Sequence, residues 1–311
     1  MKNSAVLFLA FGGPESLDDV KPFVMNVLAS RGRTPAQAQI DGIIERYKLI
    51  GGKSPLLEIT RSQAVALEKI SSEAGNPVKV YTGMRHWHPF IKDTLDEIWN
   101  DGVEKVLALP LAPHNSKAVI GGYVEAVEKA LNGRETHVDV SYVKSWHTHP
   151  LFLEALKEKI VEALSGFSTE DRATVQLIFS VHSLPLRLVQ NDPYVEQVME
   201  TIDGVLKLMD QTERPIQWHL AYQSKGGGPG EWLGPDIESV LKTLAERGDK
   251  NVLLVPVGFV SDHVEILYDI DILAKEAAES LGINFRRTLS LNDSSKFIEA
   301  LFTIVSENLQ S

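Results

Sequence analysis

No cysteine occurs anywhere in the 311 residues of the chain. This absence excludes disulfide bonds, thiolate metal sites, cysteine-bound iron–sulfur clusters and a cysteine nucleophile. Any metal that the protein binds must therefore be held by histidine, carboxylate or water.

Long apolar segments are also absent, since no run approaches the roughly 20 residues that a membrane-spanning helix needs. The first residues, Met1 to Phe11, superficially resemble a short signal peptide. No small-residue cleavage site follows them, and G-G-P-E-S-L at 12–17 is typical of a strand-to-helix turn. We therefore predict the first core strand of a cytoplasmic protein here, and no transmembrane segment.

Positively charged residues are outnumbered: the chain has 31 Lys and Arg but 42 Asp and Glu, which gives a formal net charge of −11. A nucleic-acid-binding protein needs a basic face, so this balance argues against that class. An anionic small ligand stays compatible with it, provided that arginine and lysine are concentrated locally.

Short apolar segments alternate with helical patterns along the whole chain, which predicts an α/β fold with parallel sheets flanked by helices. The predicted strands cover residues 6–11, 78–82, 105–111, 138–143, 175–181, 216–222, 251–260 and 283–287. The predicted helices cover residues 17–29, 35–49, 60–73, 90–100, a segment ending near 131, 151–164, a long segment after 194, 236–247, 262–281 and 295–309.

The two halves of the chain look related. V-L-A-L-P-L at 106–111 matches V-L-L-V-P-V at 252–257, and the strand, turn and proline at 6–14 resemble those at 177–185. A duplicated pattern predicts two similar domains that face each other across a cleft. We place them at residues 1–148 and 149–311, with a terminal helix that packs back on the first half.

Two carboxylates follow the most apolar predicted strand. Ser261 and Asp262 are good helix N-caps, and the predicted helix carries Glu265 and Asp269 four residues apart on one face. Open α/β sheets bind ligands beyond the carboxyl ends of their strands. The structural alternative is a capping box between Asp262 and Glu265, although it leaves Asp269 unexplained.

His182 ends the strand predicted at 175–181. If this strand and the one before Glu265 belong to one parallel sheet, both side chains project at the same edge. Histidine transfers protons near neutral pH, and one histidine with one or two carboxylates suits Fe(II), Mn(II) or Zn(II). The alternative is a loop histidine that is hydrogen-bonded to the backbone.

A basic and aromatic group follows helices and turns of the first half. These side chains are suited to a carboxylated ligand, and the alternative is an ordinary solvated surface. The group consists of Arg31, Arg33, Arg46, Tyr47, Lys53 and Ser54.

Several motifs occur in order along nearly the whole chain. They are G-G-P-E-S at 12–16, R-Y-K-L-I-G-G-K-S-P-L at 46–56, S-V-H-S-L-P at 180–185, D-P-Y at 192–194, Q-S at 223–224, W-L-G-P-D at 232–236 and P-V-G-F-V-S-D-H-V-E-I-L-Y-D-I-D at 256–271. Together they resemble ferrochelatase, the family that inserts ferrous iron into a porphyrin in haem synthesis.

The resemblance implies two Rossmann-like, chelatase-type domains with the porphyrin in the cleft between them. It implies catalytic roles for His182 and Glu265, and a metal path that adds Asp269 to these two. Ferrous iron is then a substrate, and no permanently bound cofactor is expected. The porphyrin-binding positions that it implies are Phe11, Arg31, Arg46, Tyr47, Ser54 and Tyr123.

The sequence departs from the family pattern in places that concern the substrate. Phe11 stands where Gram-positive members that use coproporphyrin carry a tyrosine able to reach the metal. Leu273 replaces a carboxylate found in some members, and the cluster-binding cysteines and membrane-associating extension of some animal enzymes are missing. Tyr123 and the short chain favour coproporphyrin III, whereas G-G-P-E-S favours protoporphyrin IX, so the porphyrin stays open.

The implied partners are a porphyrin and ferrous iron, with no nucleic acid. A weak contact with a membrane or with another enzyme of haem synthesis is compatible with the sequence, as is a monomer or a weak oligomer. The alternatives are a non-catalytic haem- or metal-binding protein and a chelatase for another metal or tetrapyrrole.

Overall fold

A computed structural model of the protein describes residues 4–30, 32–132, 138–209, 216–228 and 230–309. The described residues form two four-stranded parallel sheets of the same plan. The first sheet has the order β2-β1-β3-β4 and contains β1 (Ser4–Ala10), β2 (Lys79–Met84), β3 (Lys105–Pro110) and β4 (Asp139–Tyr142). The second has the order β6-β5-β7-β8 and contains β5 (Gln176–His182), β6 (Trp218–Gln223), β7 (Asn251–Pro256) and β8 (Asn284–Arg287).

The helices connect these strands. The first half contains α1 (Leu17–Ala29), α2 (Gln37–Leu49), α3 (Leu56–Glu73), α4 (Ile91–Asn100) and α5 (Ile120–Leu131). The second contains α6 (Pro150–Ser165), α7 (Thr169–Arg172), α8 (Leu186–Val189), α9 (Tyr194–Leu208), α10 (Ile237–Glu246), α11 (Val264–Leu267), α12 (Lys275–Ser280) and α13 (Ser295–Leu309). The short helices α7 and α8 were not predicted, because four residues are too few to show a helical period.

The helix predicted over 262–281 is wrong as a continuous α-helix. A π-helical segment, Asp269–Ala274, separates α11 from α12. Within it the amide of Leu273 donates to the carbonyl of Tyr268, five residues earlier, at 3.0 Å. Apolar periodicity does not distinguish this wider turn from an α-helical one, and such insertions are frequent at functional sites.

One apolar cluster joins the two sheets. Successive strand residues point to opposite faces, so Val6 and Phe8 of β1 enter this cluster while Leu7 packs on the opposite face. In β5, Phe179 enters the same cluster and Ile178 packs on the outer face. The inner faces of both sheets therefore share one core, which fixes their carboxyl edges relative to each other.

Polar contacts reinforce this junction. The Nε2 atom of His114, in the loop after β3, lies 2.9 Å from the hydroxyl of Thr201 on α9. The Gln63 amide on α3 donates to the carbonyl of Asn292 at 2.7 Å. Helix α13 packs on both α3 and α6, so the terminal helix does contact the first half. The division at residues 148 and 149 stays a prediction.

No helix in the described ranges combines the length and the apolar character needed to cross a membrane.

We expect His114 to make the protein less stable in acid. Burial, with a smaller contribution from His147, lowers the pKa of His114 from 6.5 to about 3. The unfolded chain therefore binds this proton first, and stability is lost as the pH falls below 6.5. Between pH 7.5 and 5.5 the loss should be about 1.4 kcal/mol of unfolding free energy. In the His114→Gln variant, the unfolding free energy measured with urea should lack this part of its pH dependence. The same loss of free energy between pH 7.5 and 5.5 in the variant as in the wild type would contradict the prediction.

Candidate active site

His182 and Glu265 meet at the carboxyl edge of the second sheet. Strands β5 and β7 are adjacent and parallel, and the His182 Nε2 atom lies 3.5 Å from Oε1 of Glu265. Both side chains are about one third exposed, at 28% and 32%. The prediction that these residues project at the same edge is confirmed.

The backbone sets the orientation of the His182 ring. Its Nδ1 atom lies 2.5 Å from the carbonyl oxygen of Ser183, which can only accept, so Nδ1 carries a proton. This leaves Nε2 as the nitrogen that faces Glu265. The buried hydroxyl of Tyr194 donates to the His182 carbonyl at 2.9 Å, which gives the D-P-Y motif a structural role.

A second histidine, His263, completes the arrangement. Its Nε2 atom lies 3.5 Å from Oε2 of Glu265, so each oxygen of this carboxylate faces a different imidazole. The ring of Phe259 lies 4.6 Å from that of His263 and 6.2 Å from that of His182. Sequence reasoning missed His263, although its position two residues before Glu265 in S-D-H-V-E was a usable signal.

The capping-box alternative for Glu265 is wrong. The residue that precedes α11 is His263, not Ser261 or Asp262. The Asp262 carboxylate instead accepts hydrogen bonds from Ser290 at 2.7 Å and from Asn292 at 2.8 Å. Asp262 thus faces the loop after β8, and the Glu265 carboxylate is directed to the two histidines.

Glu265 stays ionised despite its surroundings. Burial opposes the charged form, but the charges and hydrogen bonds of His182 and His263 outweigh burial and hold the pKa of Glu265 well below its usual range. The main chain of Glu265 is also fixed, since its carbonyl accepts from the Gln223 amide at 2.8 Å. Gln223 is itself oriented by the Ser180 hydroxyl, which donates to it at 2.8 Å.

Asp269 lies at the start of the π-helical segment and has different partners. Its Oδ2 atom accepts from the Ser224 hydroxyl at 2.5 Å, and its Oδ1 atom lies 3.9 Å from the Arg46 guanidinium. Burial raises the pKa of Asp269 and the nearby Glu265 charge adds to this, while Ser224 and Arg46 oppose it. Of the two carboxyl groups, Asp269 is therefore the easier one to protonate.

Arg46 links the two halves at this point. Its guanidinium lies 5.1 Å from the centre of the Tyr268 ring, and half of its side chain remains exposed. An exposed guanidinium beside an aromatic ring suits a carboxylate ligand.

Other first-half residues border the same region. Tyr47 is buried in a cluster that includes Val20 and Trp87, and both Phe11 and Val264 pack against that cluster. Val264 precedes Glu265, so this cluster packs against the segment that carries the Glu265 carboxylate. Burial, together with the charge of Glu265, raises the pKa of the Tyr47 hydroxyl, which stays neutral.

Ser54 is placed by a close backbone approach. Its hydroxyl accepts from the amide of Leu56 at 3.3 Å, and its own amide donates to the Pro14 carbonyl at 2.8 Å. A Cβ atom on Gly13 would lie only 2.5 Å from the Ser54 Cβ, so glycine is required there. This contact explains part of the G-G-P-E-S motif.

The remaining predicted positions behave differently. Tyr123 is buried in the outer core of the first sheet with Ile91 and Val127, apart from the cluster that holds Tyr47. Arg31 lies outside the described residues. Within the rest of the basic group, Lys53 pairs with Glu58 at 2.6 Å.

Across the described residues, no group of three His, Asp or Glu side chains is arranged to enclose a metal ion. The metal set of His182, Glu265 and Asp269 therefore stays a prediction. A surface cavity of about 280 Å³ lies elsewhere, and Asp271 and Arg287 are among the residues that line it.

The comparison with known proteins decides the family. A sequence model named Ferrochelatase matches residues 3–309. A ferrochelatase of Deinococcus radiodurans is 40% identical over 305 residues, which cover 98% of this chain and 95% of that protein. The chain belongs to the ferrochelatase family. A ferrochelatase of Herpetosiphon aurantiacus is 39% identical over 305 residues, covering 97% of this chain and 98% of that protein.

The fold is also that of chelatases. The sirohydrochlorin chelatase SirB of Bacillus subtilis subspecies spizizenii, in complex with cobalt, matches with a TM-score of 0.56 over 99% of this chain and 95% of its own. SirB from Bacillus subtilis with Fe³⁺ matches with a TM-score of 0.58 over the same shares. Identities of 12% and 14% limit this likeness to the fold, which confirms the predicted chelatase-type architecture.

We expect Gly13→Ala to destabilise the protein because the new methyl group overlaps Ser54. Overpacking of this kind costs about 1–3 kcal/mol of unfolding free energy. Gly42→Ala is the matched control, since no atom lies within 4 Å of its added Cβ and the site is in α2. That variant should gain about 0.5–1 kcal/mol. Denaturant unfolding of both variants and the wild type checks this prediction. If Gly13→Ala is as stable as the wild type, Ser54 moves aside freely and the prediction is wrong.

Proposed function

We propose that this chain inserts Fe(II) into a porphyrin bound in the cleft between the two sheets, as a step of haem synthesis in the cytoplasm. The family membership supports the reaction. The observation that carries the assignment of residues is the Glu265 carboxylate, which lies between the imidazoles of His182 and His263 at the carboxyl edge of the second sheet.

The first requirement of the reaction is a base, because the porphyrin must lose two pyrrole protons. His182 can meet it in its neutral form through Nε2, which faces Glu265 while Nδ1 contacts Ser183. His182 takes one proton at a time: a proton on Nε2 makes an imidazolium 3.5 Å from an ionised Glu265, and this proton passes to solvent before the second pyrrole proton is accepted. The carboxylate stabilises this cation, so proton transfer to His182 is favoured.

The second requirement is a route for a hydrated dication. Glu265 and Asp269 supply negative charge along α11 and the start of the π-helical segment. Oxygen ligands replace the water molecules of Fe(II) as the ion moves inward, and the carboxylates of Glu265 and Asp269 would supply them.

The third requirement is a slot that holds and bends the macrocycle. Phe11 supplies aromatic surface on the cluster that buries Tyr47, and the half-exposed guanidinium of Arg46 can bind a carboxylate of the porphyrin. Ser54 is buried beside Gly13, so its proposed role is to support this side of the slot. Arg31 and Tyr123 belong to the proposed set through the family resemblance alone. Phe11 cannot ligate a metal, so this position would supply no ligand to the iron.

We expect the purified protein to insert Fe(II) into coproporphyrin III or protoporphyrin IX under anaerobic conditions. The change in the absorbance spectrum of the porphyrin measures this reaction. Turnover with only one of them identifies the physiological class of porphyrin. The His182→Ala variant should lose at least 100-fold in kcat because the base is gone, while its porphyrin affinity stays within about threefold. His219→Ala is the matched control, because His219 lies on β6 and contacts Gln176.

Near-normal turnover by His182→Ala would overturn the role of this residue. Stoichiometric haem binding by the wild-type protein, with no turnover on either porphyrin, would instead favour a haem carrier. Assays with cobalt, nickel and corrin precursors would distinguish a chelatase for another metal or tetrapyrrole from a ferrochelatase and from a haem carrier.

The two carboxylates should affect the kinetics differently. Glu265→Gln removes the charge next to the base, so we expect kcat to fall by about 10²–10⁴. Asp269→Asn removes a negative charge that is bound by Ser224 and Arg46, so we expect the KM for Fe(II) to rise while kcat changes little. Steady-state measurements at varied Fe(II) concentration check this, and identical effects of both substitutions would contradict the proposed division of roles.

A further inference from the structure

Arg287 of β8 joins both ends of the segment that carries the two carboxylates. Its Nε and Nη2 atoms contact the two oxygens of Asp271 at 2.5 and 2.7 Å, which is a bidentate pair. Nη2 also lies 3.4 Å from Asp262. Asp262 precedes Glu265 by three residues and Asp271 follows Asp269 by two, so one side chain holds the segment at both ends.

Asn292 extends this attachment to the first half. Its side-chain amide donates to Asp262, and its side-chain oxygen accepts from the Asp262 amide at 2.9 Å. Its backbone carbonyl accepts from Gln63 on α3. Asn292 has a positive φ of 45°, a left-handed conformation that asparagine tolerates better than most residues.

We propose that Arg287 is a positioning residue for metal insertion, which acts by holding the segment 262–271 so that Glu265 faces His182 and Asp269 faces the metal route. This inference rests on the proposed function. Arg287 does not contact the reacting atoms, and its effect passes through Asp262 and Asp271.

The backbone of the segment explains why an external support is needed. An α-helix fixes its own side-chain directions through i to i−4 hydrogen bonds, but here those bonds are replaced over 269–274 by the wider π-helical pattern. The Arg287 side chain is only 11% exposed, so solvent screens its pairs weakly. The neighbouring strand and the π-helical segment are thereby tied together at the point where helical geometry is irregular.

Arg286 provides a matched control on the same strand. It is the adjacent residue and has the same chemistry, but its guanidinium lies over the ring of Phe167 at 5.2 Å. Adjacent strand residues point to opposite faces, so Arg286→Gln removes an arginine without touching Asp262 or Asp271.

The test compares Arg287→Gln, Asp271→Asn and Arg286→Gln in the full-length protein. We expect Arg287→Gln and Asp271→Asn to raise the KM for Fe(II) about tenfold while porphyrin affinity, measured by fluorescence quenching, changes less than twofold. Arg286→Gln should match the wild type. The double variant Arg287→Gln/Asp271→Asn should be no worse than Arg287→Gln, because both substitutions remove the same pair.

A merely structural role of Arg287 predicts a different pattern. In that case porphyrin affinity and the KM for Fe(II) worsen together, in proportion to the loss of thermal stability, and Asp271→Asn has little effect because Asp271 is partly exposed. Either that pattern or an unchanged KM for Fe(II) overturns the proposal.

Amide hydrogen exchange tests the positioning role of Arg287 without any measurement of catalysis. We expect exchange within 262–274 to be at least tenfold faster in Arg287→Gln than in the wild type, with unchanged exchange in β5. If the wild-type protein shows no metal insertion, the proposed function fails while this measurement still decides whether Arg287 holds the segment. Unchanged exchange in 262–274 overturns the positioning role even where the enzyme is active.

Discussion

The apolar cluster shared by the inner faces of both sheets is the constraint on which the site depends. His182 and Glu265 come from neighbouring strands of one sheet, but Arg46 and the aromatic residues come from the other half. Only a common core keeps these two groups at a constant separation, because a hinge between independent domains would let them drift apart. The packing of α13 on both α3 and α6 and the contact between Gln63 and Asn292 serve the same purpose.

Two carboxyl groups four residues apart acquire different properties in this frame. Glu265 lies between two imidazoles and stays ionised, whereas burial makes Asp269 easier to protonate. The pKa of Glu265 is lowered and the pKa of Asp269 is raised. Glu265 therefore keeps its negative charge, whereas the protonation of Asp269 depends on its partners. This division suits a reaction that must collect protons at one point and admit a cation at another.

The sheets and the pair of His182 and Glu265 could be predicted from the sequence. Strands are recognised by their local apolar patterns, and ligands of parallel sheets bind at the carboxyl ends of the strands. It did not predict the interruption at 269–274, since a π-helical turn leaves the apolar pattern almost unchanged. It also misassigned Asp262, whose partners Arg287, Ser290 and Asn292 are remote in sequence. His263 was missed although it lies only two residues before Glu265, because that spacing does not by itself show that the imidazole faces the carboxylate.

The ion pairs around the site differ in strength in a way that fits the proposed reaction. The pair between Arg46 and Asp269 is 3.9 Å long and has a half-exposed partner, so it contributes at most about 1 kcal/mol. A porphyrin carboxylate or a metal ion can displace it at little cost. The pair between Arg287 and Asp271 is bidentate and its arginine is largely buried, so it is the stronger of the two pairs even though Asp271 is about one third exposed. The contacts that substrates must disturb are therefore weak, and the contacts that hold the carboxylates in place are strong.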